Sequence, residues 1–77
     1  MSKLLKPLSQ TIRRRRNDLG LSQEDLAEKC GFDRTYISML ERGKRNPSFL
    51  NLLRLSEGLE ISVSKLLEAY KYGSKTN

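Results

Sequence analysis

The sequence has no histidine and no tryptophan, and it contains a single cysteine. A lone cysteine cannot form an internal disulfide or a multi-cysteine zinc site, and without histidine the commonest general base and metal ligand is missing. No apolar run approaches the roughly 20 residues that cross a bilayer, and the first residues lack the apolar segment of a signal peptide. We therefore expect a cytoplasmic protein with no cofactor, no metal and no catalytic residues.

Positive charge is what the chain has in excess. Its 77 residues support one small domain with a thin core, and Lys plus Arg (15) exceed Asp plus Glu (9) to give a net charge of +6. Such a balance favours an anionic partner, either nucleic acid or a membrane surface. The densest block is the arginine run at 13–16. Because consecutive helical residues point about 100° apart, this run predicts a solvated helix surface rather than one binding patch.

Glycine, proline and capping residues divide the chain into short helical segments. Ser22 predicts a helix start, because its hydroxyl can cap backbone N–H groups and the aspartate three positions later completes a capping box. Gly31 is placed to end that helix in a left-handed turn. With the spacing of apolar residues, these signals predict five helices, at about residues 7–19, 23–30, 34–42, 49–59 and 63–71. We expect an all-α domain over residues 1–72 and a disordered tail over residues 73–77.

The second and third predicted helices are joined by so short a glycine turn that they must cross at a large angle. This is the arrangement of a helix-turn-helix, whose second helix enters the DNA major groove. Ile37 and Leu40 point inward, which leaves Arg34, Thr35 and Ser38 on the outer face. Arginine can bind guanine bidentately, and hydroxyl side chains can bond base edges. The alternative is a solvent-exposed helix with an ordinary polar face.

Four segments carry a resemblance to a known family. They are residues 19–27 (LGLSQEDLA), 31–38 (GFDRTYIS), 40–48 (LERGKRNPS) and 59–63 (LEISV). In this order and spacing they resemble the lambda-repressor-like Cro/C1 (XRE) family of helix-turn-helix regulators, over about residues 8–68. The resemblance implies a five-helix domain with the helix-turn-helix at helices two and three. Within the family the chain most resembles the controller proteins of restriction-modification systems, although similar strings occur in prophage repressors.

The resemblance also implies roles for individual residues. Arg34, Thr35 and Ser38 match base-reading positions. The residues that match contacts to the DNA backbone are Gln23, Tyr36, Arg42, Lys44, Arg45 and Asn46. For Tyr36 the alternative is packing beside helix two. Arg16 and Glu41 match residues that form a structural ion pair in the family.

Two positions depart from the family pattern. Arg15 stands where the family usually has an apolar residue, just before the arginine of the ion pair. Glu60 stands after helix four, where Gly, Asn or Asp is common. A left-handed backbone at that position would carry a small strain cost for glutamate.

One recognition helix covers only a few base pairs, so small regulators of this kind generally read symmetric sites as dimers. We expect the dimer interface on helix five, whose apolar residues exceed what so small a core can hide: Val63, Leu66, Leu67 and Tyr70. The alternative is that Val63 and Leu66 close the core of the protomer. The prediction is a homodimeric, sequence-specific regulator bound to a double-stranded DNA operator, with no membrane contact and no small-molecule effector.

Other functions stay open at this point. An antitoxin would share the DNA-binding domain but needs a segment that binds a toxin, and a prophage-type repressor would share nearly every motif. A basic amphipathic helix at a membrane surface would use the arginine run and leave the turn and caps unexplained. An enzyme is not expected, because the Ser, Cys and Tyr side chains have no histidine or paired carboxylate at any motif spacing.

Overall fold

The structure, a computed structural model, describes the backbone of residues 5–74 and the side chains of residues 5–68. Five helices follow one another along the chain: α1 (Leu5–Asp18), α2 (Gln23–Cys30), α3 (Arg34–Glu41), α4 (Phe49–Leu59) and α5 (Val63–Ser74). Within residues 5–74 there is no strand, so the predicted all-α fold is confirmed. In the same range, no helix has both the length and the hydropathy that crossing a bilayer requires.

Serine hydroxyls begin three of the helices. Ser22 Oγ accepts a hydrogen bond from the backbone of Asp25 at 2.9 Å, and the Asp25 carboxylate accepts one from the Ser22 N–H at 3.0 Å. The hydrogen bond from the Ser22 N–H to the Asp25 carboxylate, helped by the Ser22 hydroxyl, favours the ionised form and lowers the pKa of Asp25. Ser48 and Ser62 each accept from the N–H three residues on. Asp33 occupies the N-cap position of α3 with extended backbone but makes no side-chain cap bond.

The C-cap residues of α2 and α4 have a left-handed backbone conformation. Gly31 ends α2 at φ 76°, as its position predicts, and Glu60 ends α4 at φ 57°, where an L side chain is strained. The Glu60 carboxylate lies 2.9 Å from Lys29 Nζ, and the hydrogen bond from Lys29 lowers the pKa of Glu60. Arg15 binds the same corner, since its Nε donates to Leu59 O at 2.7 Å and its Nη2 to Glu60 O at 3.2 Å. The arginine that departs from the family pattern therefore satisfies the last carbonyls of α4.

The arginine run is only partly the solvated surface that its sequence predicts, because Arg13 and Arg14 are exposed whereas Arg15 and Arg16 are half-buried. Besides Arg15, Arg13 donates to the backbone oxygen of Glu41 at 3.1 Å, and Arg16 bonds the Glu41 carboxylate. Only Arg14 of the four has no hydrogen bond to another described residue, and it is exposed. Consecutive residues on α1 point toward different neighbours, so the run ties α1 to α3 and to the end of α4.

All five helices contribute to one apolar core. Its fully buried side chains are Leu8, Ile12, Leu26, Ile37, Leu55, Leu59 and Leu66. Where α2 meets α4, Gly58 has no side chain, and a Cβ there would overlap Cys30 Sγ. Burial raises the pKa of the Cys30 thiol to about 11, so the group is neutral at pH 7. The close approach of these two helices fixes α2, and with it the start of the turn into α3.

The last helix is longer than predicted. It runs to Ser74 rather than to about residue 71, so Gly73 and Ser74 of the predicted disordered tail are helical. Residues 75–77 lie outside the described part of the chain. Leu66 of α5 is completely buried between α1 and α4, which is why this helix packs on the domain.

Candidate nucleic-acid interface

The first turn of α3 presents the predicted reading residues to solvent. Arg34 and Thr35 are exposed and Ser38 is partly exposed, on the face opposite the buried Ile37 and Leu40. This division follows from the helical repeat, because residues one turn apart share a face. The side chains suited to hydrogen bonding with base edges therefore project from the domain at the beginning of its third helix.

A buried carboxylate holds α3 in place. The Glu41 side chain has 0% exposure, and Arg16 bonds it twice, with Nε at 2.6 Å from Oε2 and Nη2 at 3.0 Å from Oε1. Arg13 Nε lies 3.5 Å from the same carboxylate. The Arg16 side chain is itself 13% exposed, and its Nη1 donates a hydrogen bond to Leu21 O at 2.8 Å. Arg16 and Glu41 thus lie where the predicted structural ion pair puts them, and they join α1, the α1–α2 loop and α3.

Opposing effects set the protonation of this pair. Burial alone would raise the pKa of Glu41, but hydrogen bonds from Arg16 and Gln23 and the charges of Arg16 and Arg13 outweigh it, so the pKa lies below its ordinary value. The hydrogen bond with Glu41 raises the pKa of Arg16. Both groups are consequently ionised at neutral pH, and the pair is a bidentate, charge-assisted contact.

Gln23 reaches the same carboxylate from the first position of α2. Its Nε2 donates to Glu41 Oε1 at 3.1 Å, which uses one of the two amide protons and leaves the other for a further acceptor. Gln23 also lines an open groove with Ser22, Glu24 and Arg34 at the beginning of α2. Backbone N–H groups at a helix start favour an anion, so the geometry suits the phosphate contact expected for Gln23.

Tyr36 lies in a cluster of aromatic, amide and guanidinium groups. Its ring meets the edge of Phe32 with centroids 4.8 Å apart, and Arg45 Cζ lies 5.4 Å from the ring centre. The Asn51 Nδ2 donates to Tyr36 Oη at 2.9 Å, and Arg54 Cζ lies 6.0 Å from the Phe32 ring. Tyr36 therefore packs on the turn that follows α2 and still brings its hydroxyl to the start of α4. Sequence reasoning missed Asn51 and Arg54, because no local spacing relates them to α3.

Basic and polar side chains follow α3 directly. The exposed residues of this loop are those predicted to contact the DNA backbone: Arg42, Lys44, Arg45 and Asn46. Pro47 is buried and anchors the loop at its far end, while Arg42 Nε donates weakly to Ser38 O at 3.4 Å. Three cations thus follow the end of α3, and they create a positive potential where a phosphate backbone could pass.

The predicted dimer residues on α5 have different surroundings. Leu66 is fully buried in the protomer and is corrected to a core residue; Val63 and Leu67 are half-buried, and the Tyr70 side chain lies outside the described residues. The large exposed apolar side chains of the described region lie instead on α4: Phe49 (64%), Leu50 (57%) and Leu53 (37%). We call these three the α4 apolar face. Its spacing of one and four residues, beside the core stripe, is the sequence signal that would have revealed it.

Within the part of the chain whose side chains are described, no three His, Cys, Asp or Glu residues are grouped as metal ligands. The exposed functional groups of the interface are hydrogen-bond donors and cations, which is the chemistry of phosphate and base-edge recognition.

Comparison with known proteins agrees with this geometry. Residues 12–66 match the family described as Helix-turn-helix. The chain is 48% identical over 52 residues to the Control protein C.MunI of Mycoplasma sp, covering 68% of this chain and 70% of the relative. It is 47% identical over 60 residues to the Control protein C.SmaI of Serratia marcescens, covering 78% and 71%.

A solved structure extends the similarity to three dimensions. The restriction-modification controller protein C.Esp1396I, as a tetramer in complex with its natural 35 base-pair operator, matches with a TM-score of 0.82 and 40% identity, over 94% of this chain and 95% of that one. The predicted resemblance is therefore confirmed. The chain belongs to the Cro/C1-type helix-turn-helix family, with restriction-modification controller proteins among its relatives.

Proposed function

We propose that this protein is a sequence-specific regulator of transcription that binds a two-fold symmetric DNA operator as a homodimer. The observation that carries the proposal is the contrast between the two ends of α3. Its first turn exposes Arg34 and Thr35, while at its last residue the buried Glu41 is held by Arg16. A helix that is fixed at one end and offers hydrogen-bonding groups at the other is suited to enter the major groove in one orientation.

In this proposal, contacts to base edges provide specificity and contacts to phosphates provide affinity. Arg34, Thr35 and Ser38 read base edges, with Arg34 suited to a bidentate bond to guanine. Phosphate contacts, which set affinity and register, come from the start of α2 and from the loop after α3: Gln23, Tyr36, Arg42, Lys44, Arg45 and Asn46. The function is binding, and no residue is assigned a catalytic role.

The regulated genes follow from the relatives. C.MunI and C.SmaI are control proteins, and C.Esp1396I is a restriction-modification controller that forms a tetramer on its operator. By similarity, this chain controls the expression of restriction-modification genes. It acts in the cytoplasm, together with its operator DNA.

The α4 apolar face is the surface on which two protomers meet in this proposal. Phe49, Leu50 and Leu53 are more exposed than any of the half-buried residues at the start of α5, and burying them against a second copy removes apolar area from water. A second copy also supplies the second recognition helix that a symmetric operator needs.

Selection of bound duplexes from a random library tests the function, followed by measurement of affinity and mass in solution. Arg34→Ala is expected to relax the preference at one position in each half-site and to cost roughly 1–3 kcal/mol on the selected operator. Arg45→Ala is expected to weaken all duplexes alike and to reduce the salt slope by about one.

Arg14→Ala is the matched control, because it removes the same charge from the groove between α1 and α5. It should leave base preference intact and change affinity only slightly. Unchanged base preference in Arg34→Ala would remove the assignment of α3 as the reading helix. If the protein bound the selected duplex as a monomer, the proposed two-fold symmetric operator would be refuted.

A further inference from the structure

Asn51 connects α4 to the reading helix through a side-chain hydrogen bond. Its backbone N–H is fixed by Ser48 Oγ at 3.1 Å, in the first turn of α4. Its side-chain Nδ2 donates to Tyr36 Oη at 2.9 Å, across 15 residues of sequence. Both side chains are half-buried, so the bond lies at the edge of the domain rather than inside the core.

The direction of this bond determines what the phenol can do. A tyrosine hydroxyl has one proton to donate and lone pairs with which to accept. Because Asn51 donates, the Tyr36 oxygen accepts, and the hydroxyl proton is left for another acceptor. A hydroxyl that accepts one hydrogen bond is also polarised toward donating the next.

The Tyr36 ring is held from two further sides. Phe32 packs against it edge-on, with ring centroids 4.8 Å apart, and the Arg45 guanidinium lies 5.4 Å from its centre. Arg54 lines a groove with Phe32, Tyr36 and Asn51. Asp33 lines it too, but its single carboxylate is outnumbered by the guanidinium groups of Arg54 and of Arg45 beside the Tyr36 ring. A hydroxyl donor with two guanidinium groups nearby attracts an anion, and the anion of a DNA duplex is its phosphate.

We propose that Asn51 is a positioning residue of the DNA interface, which turns the Tyr36 hydroxyl into an oriented donor to a DNA phosphate. This inference rests on the operator-binding function proposed above. Asn51 acts through Tyr36, and through the ring it also steadies the place of Arg45 in the loop after α3. If Asn51 were only a structural link between α3 and α4, its replacement would cost the same whether or not residue 36 carried a hydroxyl.

The variant Asn51→Asp changes the direction of the hydrogen bond with Tyr36 without disturbing the fold. Aspartate has nearly the same shape, and a carboxylate in the first turn of a helix is favourable, so the unfolding midpoint should be unchanged or raised. The carboxylate can only accept, so it takes the Tyr36 proton away from the phosphate. We expect operator affinity to fall about tenfold, the scale of one lost hydrogen bond to a charged group.

A double-mutant cycle gives the matched control. Asn51→Leu removes the donor without adding charge and should cost about tenfold in affinity in the wild-type chain, but nothing further in a Tyr36→Phe chain. Asn51→Asp in the Tyr36→Phe chain measures the repulsion of the added charge alone, and that effect is subtracted. Circular dichroism and urea unfolding of every variant monitor the fold.

Two results would overturn the role of Asn51. One is an equal loss of affinity from Asn51→Leu with and without the Tyr36 hydroxyl, and the other is no loss in either. Because phosphate contacts do not depend on sequence, the cycle can be measured on any duplex that the wild-type protein binds. If the wild-type protein prefers its selected operator but the cycle shows no coupling between Asn51 and Tyr36, only this inference is refuted. A wild-type protein that binds no duplex refutes the proposed function as well.

Discussion

Replacing Glu41 by glutamine should destabilise the domain more than any other change of a single carboxylate in its described part. Glutamine keeps the shape of the side chain but removes the charge that Arg16 bonds at 2.6 and 3.0 Å. The Arg16 guanidinium, only 13% exposed, then keeps its bond to Leu21 O but faces a neutral amide. An incompletely compensated charge near the interior is the main cost.

The magnitude follows from the burial of the two partners. Removing one member of a buried ion pair costs roughly 3–5 kcal/mol, and the partial exposure of Arg16 favours the lower end, about 3 kcal/mol. In a domain of this size, each kcal/mol lowers the melting temperature by roughly 4–8 °C, so a decrease of about 12–24 °C is expected. Domains of this length have a free energy of unfolding on the order of 4–12 kcal/mol, so the loss is a large share of the total.

Urea unfolding followed by circular dichroism measures this loss. Glu28→Gln is the matched control, because it neutralises an exposed carboxylate on α2 and should stay within about 0.5 kcal/mol of the wild type. In a second comparison, Arg16→Met and Glu41→Leu are combined. Since apolar replacement of both partners removes the stranded charge, the double variant should be more stable than Glu41→Gln.

A loss below about 1 kcal/mol in Glu41→Gln would refute the reasoning, because it would mean that the amide compensates the guanidinium as well as the carboxylate does. A double variant less stable than the single one would show that the pair contributes more than its desolvation costs. Both outcomes are measured by urea unfolding of the variants under the same conditions.

Three further predictions concern pH, packing and assembly. Because the pKa of Glu41 in the folded protein lies below its ordinary value of 4.5, its stabilisation is present above that pH and is lost as the pH falls through the lowered pKa; in urea unfolding from neutral pH into the acid range, Glu41→Gln should therefore lose less stability than the wild type. Gly58→Ala should cost about 1–3 kcal/mol in the same assay, since its methyl group overlaps Cys30 Sγ, and adding Cys30→Ala should recover part of the loss. Phe49→Gln combined with Leu50→Gln should leave the helical content unchanged and shift sedimentation toward the monomer, and an unchanged mass would contradict the proposed interface.

The boundaries of α2 and the start of α4 could be predicted because their causes are local. A serine that caps the N–H three residues on, or a glycine that ends a helix at positive φ, acts within one turn of chain, as at Ser22 and Gly31. The exposed residues of α3 could be predicted for the same reason, since a helical repeat assigns each residue to a face. Asp33 shows the limit, because its position as N-cap was predictable while the missing side-chain bond was not.

Contacts between distant residues could not be predicted. Arg15 reaches Leu59 across 44 residues and Asn51 reaches Tyr36 across 15, and both depend on the angles at which helices pack. Periodicity gives the direction of a side chain from its own helix but not the identity of the neighbour. The exposed face of α4 is different, because the spacing of Phe49, Leu50 and Leu53 beside the core stripe marks it in the sequence, and only the degree of its exposure depends on packing.

The separation of the two faces of α3 has a consequence for how such a protein changes over time. Ile37 and Leu40 hold the helix on the core, whereas Arg34 and Thr35 are exposed on its outer side. Substitutions at the outer positions therefore change stability little, because surface changes of this kind stay within about 0.5 kcal/mol. Relatives that share this scaffold can acquire new operators by altering a few side chains, so a regulator and its binding site can diverge together without a new fold.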